Sequence, residues 1–362
     1  MKRRLLLLLS MLLAFTLVAT ACGDDAETDA VTAAFIYIGE PGDAGWTWAH
    51  DQGRQAAETA TGATTITFEN IPEGSPEFDQ AVRDAIADGA DVIFATSFGY
   101  IDAMEALSAE FPDVAFDHAT GYKSNDTNFG NYFGRIYQAR YLTGLAAGEA
   151  SASGNIGYVA AFPIPEVIRG INAFTLGVRA ANPDATVTVN WTSTWFDPAV
   201  EGDSAQALLD GGADVIAMHQ DSTAAGEAAE AAGARWVSYN SDMSAFAPTA
   251  YIASAIWDWG PYYASTIEKV AAGEYNGGAY WGGMDDGIVQ IGSLASDVSD
   301  DTKARIADLT EQMIAGTWDP FTGPVNDQNG AEVIAAGDVP NDGDLLGMFY
   351  FVEGVIGEIP EG

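Results

Sequence analysis

Apolar residues recur along this chain in two alternating rhythms. Short runs rich in Val, Ile, Phe and Tyr read as strands, and longer stretches with apolar residues every three or four positions read as helices. Val31 to Gly39 is the first strand-like run and Trp46 to Thr61 the first helical one. Thr64 to Phe68 reads as a short strand. Ser75 to Asp88 reads as a helix, with Phe78, Val82 and Ile86 on one face and Ser75-Pro76-Glu77 as its start signal. Asp91 to Thr96 is a largely apolar strand. Strands of this kind alternating with helices predict an α/β fold with a parallel sheet covered on both faces.

The rhythm then begins again. Asn155 to Ala161, Ala185 to Thr192 and Asp214 to Met218 read as strands, and Val167 to Ala181 and Gly202 to Asp210 as helices. One stretch repeats directly: Gly89-Ala90-Asp91-Val92-Ile93 returns as Gly212-Ala213-Asp214-Val215-Ile216, and Gly53 and Gly177 hold similar places in the first helix of each half. Two similar α/β lobes are the economical explanation. Later pieces do not continue the repeat. Thr249 to Trp257, Ala279 to Trp281 and Ile288 to Ile291 look like further strands, Asp301 to Ala315 like a helix, and Met348 to Val352 is an apolar run. Crossings between lobes are expected near Gly121 to Arg135 and Tyr251 to Pro261. The N-terminal lobe would then hold residues 32–125 and about 258–295, and the C-terminal lobe about 126–257 and 296–362.

The first residues change the picture from fold to address. Lys2, Arg3 and Arg4 precede an apolar run from Leu5 to Val18, too short for a comfortable span and fitting a secretory signal peptide over residues 1–21. The end of the run, Ala19-Thr20-Ala21-Cys22-Gly23, resembles a bacterial lipobox, with Ala19 in place of the usual leucine. Cys22 would carry the lipid, and residues 22–31 would form a tether holding the protein on the extracytoplasmic face of the membrane. Ordinary signal cleavage leaving Cys22 as a spare thiol is the plainer alternative. Because Cys22 is the single cysteine, disulfides within the chain and cysteine-based metal sites are excluded.

The remaining chain of roughly 340 residues suits two domains. Its 48% hydrophobic content, 11% aromatic, indicates packed domains and not disorder. The formal charge of −38 excludes nucleic acid and anionic lipid surfaces as partners. The acidic residues are dispersed, as in an adaptation to solubility in a salty medium.

Ligands of open parallel sheets bind beyond the carboxyl ends of the strands. That rule selects Glu40, Asp43 and Trp46 after the first strand, Ser97, Phe98 and Tyr100 after the third, and Phe162, Glu166 and Arg169 after the first strand of the second half. It also selects Trp195 and Asp197, then His219, Gln220 and Asp221, and then Asn240, Ser241 and Asp242. Trp46 and Trp195 sit in polar loops, Gly42-Asp43-Ala44-Gly45-Trp46-Thr47 and Thr194-Trp195-Phe196-Asp197-Pro198, one in each half. They either stack on a flat ligand from two sides or anchor their own loops. Asp221 either accepts hydrogen bonds from ligand N–H groups or caps the helix that starts near Thr223. Asn240 and Asp242 either serve similarly or form a turn. Lys and Arg number only 14, and Arg135 and Arg169 are the pocket candidates, each of which could equally be a structural ion pair. A neutral flat ligand fits this better than a phosphate.

Signs of catalysis are weak. The three histidines, His50, His118 and His219, show no metal-ligand spacing, and there is no Gly-x4-Gly-Lys loop, dinucleotide turn or nucleophile elbow. No metal, cofactor or enzymatic activity is expected. His50 belongs to the helix after Trp46, in a packing role.

The lipobox, the run Ala33-Ala34-Phe35-Ile36-Tyr37-Ile38-Gly39, the segment Gly42 to Arg54, and Asn128 to Arg135 with Tyr137 to Gly144 resemble the basic membrane protein family. These are substrate-binding lipoproteins of ABC transporters, related to purine nucleoside receptors. The resemblance covers nearly the whole mature chain. It implies a type I periplasmic-binding-protein fold, two Rossmann-like lobes closing on a ligand by a hinge, with ABC permease subunits as partners. The two tryptophan loops look closest to a branch that binds purine bases such as adenine. Trp46 and Trp195 would stack on the base and Asp221 would take its N–H donors. Asp43, Phe98, Arg169, Asn240 and Asp242 complete the candidate set. A nucleoside ligand, a sugar, or a secreted nucleoside hydrolase are the rival readings.

Overall fold

The computed structural model describes residues 30–360. Cys22, the leader and most of the tether lie outside the described residues. The first half runs β1 (Thr32–Ile36), α1 (Trp46–Thr61), β2 (Thr64–Phe68), α2 (Pro76–Ala87), β3 (Val92–Ala95), α3 (Ile101–Glu110), β4 (Ala115–Ala119) and β5 (Phe129–Gly134). The second runs α4 (Tyr137–Ala150), β6 (Asn155–Ala160), α5 (Pro165–Ala181), β7 (Thr186–Trp191), α6 (Pro198–Asp210), β8 (Val215–His219), α7 (Ala224–Ala231), β9 (Arg235–Asn240) and β10 (Tyr251–Trp257). Then come α8 (Gly260–Ala271), β11 (Gly278–Gly282), β12 (Val289–Ile291), α9 (Asp300–Ile314), β13 (Val325–Asn326), β14 (Glu332–Ile334), α10 (Asp342–Leu346) and β15 (Val355–Ile356).

Two parallel sheets carry the two lobes. Their strand orders are β2-β1-β3-β4-β5-β11 and β15-β7-β6-β8-β9-β10-β12. Setting β1 against β6 aligns the first five strands of each lobe one for one. The sixth differs: β11 runs parallel to β5, and β12 antiparallel to β10. Such strands need apolar residues on both faces, and Val92, Ile93, Phe94 and Ala95 of β3 are all fully buried.

The repeated pentapeptide has a structural cause. Gly89 and Gly212 take φ of +91° and +94°, in the left-handed region that lets a helix turn into a strand. The aspartates two residues on tie down the entry to the first strand of each lobe. Asp91 Oδ2 accepts from the Thr32 amide at 2.8 Å. Asp214 accepts from Ser151 Oγ and from the amides of Ala152 and Ser153, at 2.6–2.8 Å. Gly53 and Gly177 also share a role. A Cβ on Gly53 would overlap Trp259 and Tyr263, against α8, and one on Gly177 would overlap the Tyr141 carbonyl of α4. Each glycine lets the first helix of its lobe press on the helix that follows a crossing.

The two main crossings fall inside the windows expected from the sequence, but the lobe bounds drawn from them do not hold. β5, assigned there to the C-terminal lobe, pairs with β4 in the first sheet, and β12, assigned to the N-terminal lobe, pairs with β10 in the second. The chain therefore changes lobe after Gly134, after Trp257 and after Gly282. It leaves a lobe only when the fifth strand is in place. Met348 to Val352 is not a strand. Met348, Phe351 and Val352 are buried as an irregular segment, and β15 follows to edge the second sheet beside β7.

Candidate functional site

The carboxyl ends of both sheets face one cleft. A narrow cavity opens there, lined by Ile38, Trp46, Ser97, Phe98 and Thr120 from one lobe and Glu166, Trp195, His219, Asp221 and Tyr239 from the other. Backbone strain collects around it. Among the described residues, the non-glycine residues with positive φ are Ala44, Asn70, Thr120, Ser193 and Asn240, with φ from 57° to 69°. They follow β1, β2, β4 and β7 or end β9. Such conformations persist only where neighbours enforce them, and they mark ligand clamps.

Trp46 is the first residue of α1 and is held on several sides. Its Nε1–H donates to the Thr96 carbonyl at 2.6 Å. The His50 ring meets it edge-on at 4.1 Å and itself stacks on Trp259 at 4.9 Å. Asp43 turns to its own backbone: Oδ1 accepts from the amides of Gly45 and Trp48 and Oδ2 from that of Thr47, at 2.8–2.9 Å. It satisfies the free N–H groups of the helix start and so fixes the loop that presents Trp46.

Trp195 is half-buried, with Phe162 as its aromatic neighbour at 4.9 Å. Its loop is held at both ends. Asp197 accepts from the amides of Ala199 and Val200, both at 3.1 Å, and so caps α6. The Gln220 side-chain amide donates to the carbonyls of Trp195 at 3.0 Å and Thr194 at 3.2 Å.

Asp221 follows β8 and does not cap α7. Its Oδ1 accepts from Asn240 Nδ2 at 2.9 Å, while Asn240 Oδ1 accepts from Trp257 Nε1 at 3.1 Å. Asn240 is thus a support that aims the carboxylate, and lies behind the wall. Burial first, then the charges of Asp43, Glu201 and Glu166, push the Asp221 carboxyl well above the usual range, against the pull of Asn240. A ligand offering N–H donors there would relieve that penalty.

The other candidates lie outside the cavity. Asp242 is exposed and serves a turn: it accepts from the Ser244 amide at 3.0 Å and from Ser293 Oγ at 2.6 Å. Arg169 is buried and donates to the Leu345 carbonyl at 2.8 Å. Burial lowers its guanidinium to about 10, with Glu166 opposing. It lines a second, outer space that shares Phe98, Thr120 and Glu166 with the inner cavity. Arg135 forms a two-pronged pair with Asp342 at 2.8–2.9 Å.

Sequence reasoning did not carry Glu166, His219 or Tyr239 into its final set of site residues. Glu166 and His219 stood among the residues following strands, and no motif raised them above their neighbours. Arg140 was missed entirely. It is buried beneath the cavity, with its guanidinium 3.7 Å from the centre of the Tyr239 ring and Nη1 donating to the Met218 carbonyl at 2.6 Å.

The lobes touch at the cleft mouth. Ser241 Oγ donates to the Ala44 carbonyl at 2.5 Å. Beside it Gly45 lies against the Asp221 main chain so closely that a Cβ would overlap the Asp221 carbonyl. Among the described residues, no three His, Cys, Asp or Glu side chains stand close enough to hold a metal ion, and no helix is long and apolar enough to cross a membrane.

Two lobes of matching topology with a lined cavity between them define a solute-binding protein of the type I periplasmic class. Comparison with known proteins carries this to a family. The model of PnrA-like ABC transporter substrate-binding proteins, the Bmp family, matches residues 30–318, and the chain belongs to that family. It is 42% identical to a purine-binding protein of Brucella abortus, over 90% of this chain and 93% of that protein. It is also 42% identical to a putative ABC transporter glucose-binding protein of Haloferax volcanii, over 93% of this chain and 83% of that one. Among solved structures, an ABC transporter solute-binding protein from Conexibacter woesei shares the fold with a TM-score of 0.66. Its identity is 23%, over 80% of this chain and 98% of that one.

Proposed function

We propose that this substrate-binding protein captures a purine, a free base such as adenine, and delivers it to an ABC permease without breaking a bond. The observation that carries this reading is the cavity itself: Trp46 and Trp195 line it from opposite lobes, and Asp221, aimed by Asn240, lines it with them. Aromatic faces suit a planar heterocycle, and one oriented carboxylate suits its N–H edge. The Brucella abortus relative, a purine-binding protein by name, supports the same ligand class. Cys22 is proposed as the lipid anchor. Intact-mass analysis of the membrane-associated protein tests this, and release of a Cys22→Ser variant into the medium is the expected result.

Two observations favour neighbouring readings. The outer space beyond Phe98, Thr120 and Glu166 would admit a sugar attached to the base. The Haloferax volcanii relative favours a sugar as the whole ligand. Calorimetric titration with adenine, hypoxanthine, adenosine and glucose separates these. Micromolar binding of adenine that glucose does not compete away is the result expected, and glucose binding without purine binding would replace this reading with the sugar one.

A further inference from the structure

Glu166 lines the cavity from the first turn of α5, yet no hydrogen bond within the protein uses its carboxyl among the described residues. His219 stands beside it, with Oε1 and Nε2 3.5 Å apart. The other side of that imidazole determines what Nε2 carries. Nδ1, Arg140 Nε and the Tyr158 hydroxyl all lie 3.7–3.9 Å from the point where a Gly170 Cβ would stand. All three are buried without a partner. In the tautomer that carries its hydrogen on Nε2, the neutral ring points that hydrogen at Glu166.

We propose that Glu166 is a hydrogen-bond donor to the ligand, its carboxyl oriented by His219 so that it reads an acceptor atom of a purine while Asp221 reads the N–H donors. This rests on the purine reading of the cleft. One Glu166 oxygen accepts from His219 Nε2–H when the ligand tightens the site. The other carries the proton into the cavity.

The surroundings favour the protonated form. Burial pushes the Glu166 carboxyl up to about 7, with Arg169 on its own helix and Arg140 on α4 pulling the other way. Asp221 beyond β8 and Tyr239 on β9 also face it, and both are disfavoured in their charged forms by its negative charge. His219 on β8 stays neutral because burial and the two arginines hold it well below its usual value. The sign follows: the Glu166 proton, and with it the donor, is present below about 7 and lost as the pH rises through that value.

The test is calorimetric titration of the full protein with adenine and with its three deaza analogues, lacking N1, N3 or N7. It is run at about pH 6 and about pH 8.5, for wild type, Glu166→Gln and Glu166→Ala. Wild type should bind adenine about tenfold more weakly at the higher pH. Glu166→Gln, whose amide donates at any pH, should lose that dependence. Glu166→Ala should bind adenine about tenfold more weakly at the lower pH, with no further loss for the one analogue that lacks the atom Glu166 reads. His219→Leu, removing a donor that favours the carboxylate, should move the wild-type midpoint to higher pH. If adenine binds with the same affinity at both pH values and Glu166→Ala binds all four ligands like wild type, the role given to Glu166 is wrong and the purine reading stands. If no purine binds wild type at either pH, both fall.

Discussion

The first helices of the two lobes, α1 and α5, hold matching places in matching sheets and bring opposite chemistry to the cleft. α1 begins with Trp46, an apolar ring locked by Thr96, His50 and the Asp43 cap. α5 begins with Pro165 and Glu166, a carboxyl with a polar cluster of His219, Tyr239 and Arg140 behind it. Trp195 is therefore not the counterpart of Trp46. It follows β7, whose partner in the first lobe is β2, and the residue corresponding to Ser193 there is the equally strained Asn70. One lobe supplies a rigid apolar wall, and the other a second ring together with the polar side chains of Glu166, His219 and Asp221.

The contrast is open to attack by substitution. Trp46→Ala should have the largest effect, about 3–5 kcal/mol of lost unfolding stability, since the ring is part of the core as well as the wall. Denaturant titration would measure it. Gly45→Ala should leave the melting temperature within a few degrees of wild type and weaken ligand binding about 10- to 100-fold. Its Cβ collides with Asp221 only when the lobes meet, an overpacking cost of about 1–3 kcal/mol on the closed form. Small-angle scattering should show that variant staying more extended when ligand is added. Trp195→Ala should weaken binding about tenfold with little change in stability, because its ring is half-buried and its loop is held through the backbone. Equal stability losses for the two tryptophan variants would erase the distinction between fixed wall and second jaw. Asp43→Ala should cost about 1 kcal/mol of stability through the lost cap, with a smaller loss of affinity. Asp242→Asn should bind like wild type, and a clear loss of affinity would return that residue to the site.

Much of the frame was legible in the chain. Helical periodicity and apolar runs marked β1 to β3, β6 to β8 and β10 to β12 but not β4, β5 or β15, and Gly-Ala-Asp-Val-Ile marked the repeat, because the glycine and aspartate do the same mechanical work twice. The crossings were less legible. Phe129 to Gly134 is buried throughout, and nothing in such a run tells which sheet edge it joins. The rule of strand ends found the right region of the cleft but could not rank polar residues within it. Asp43, Asp221 and Asp242 look alike in sequence. Whether a carboxylate turns to its own backbone amides or to the cavity depends on side-chain direction and on partners distant in sequence, such as Ser293 for Asp242 and Asn240 for Asp221. Glu166 had one signal available: it stands at the start of the helix corresponding to α1.

The most direct test of the central claim is the titration of purified protein with adenine, followed by calorimetry and tryptophan fluorescence. Binding at micromolar concentration or tighter, with a fluorescence change that Trp195→Ala diminishes, is the predicted result. Failure of adenine, hypoxanthine and adenosine alike to bind at these concentrations would contradict it.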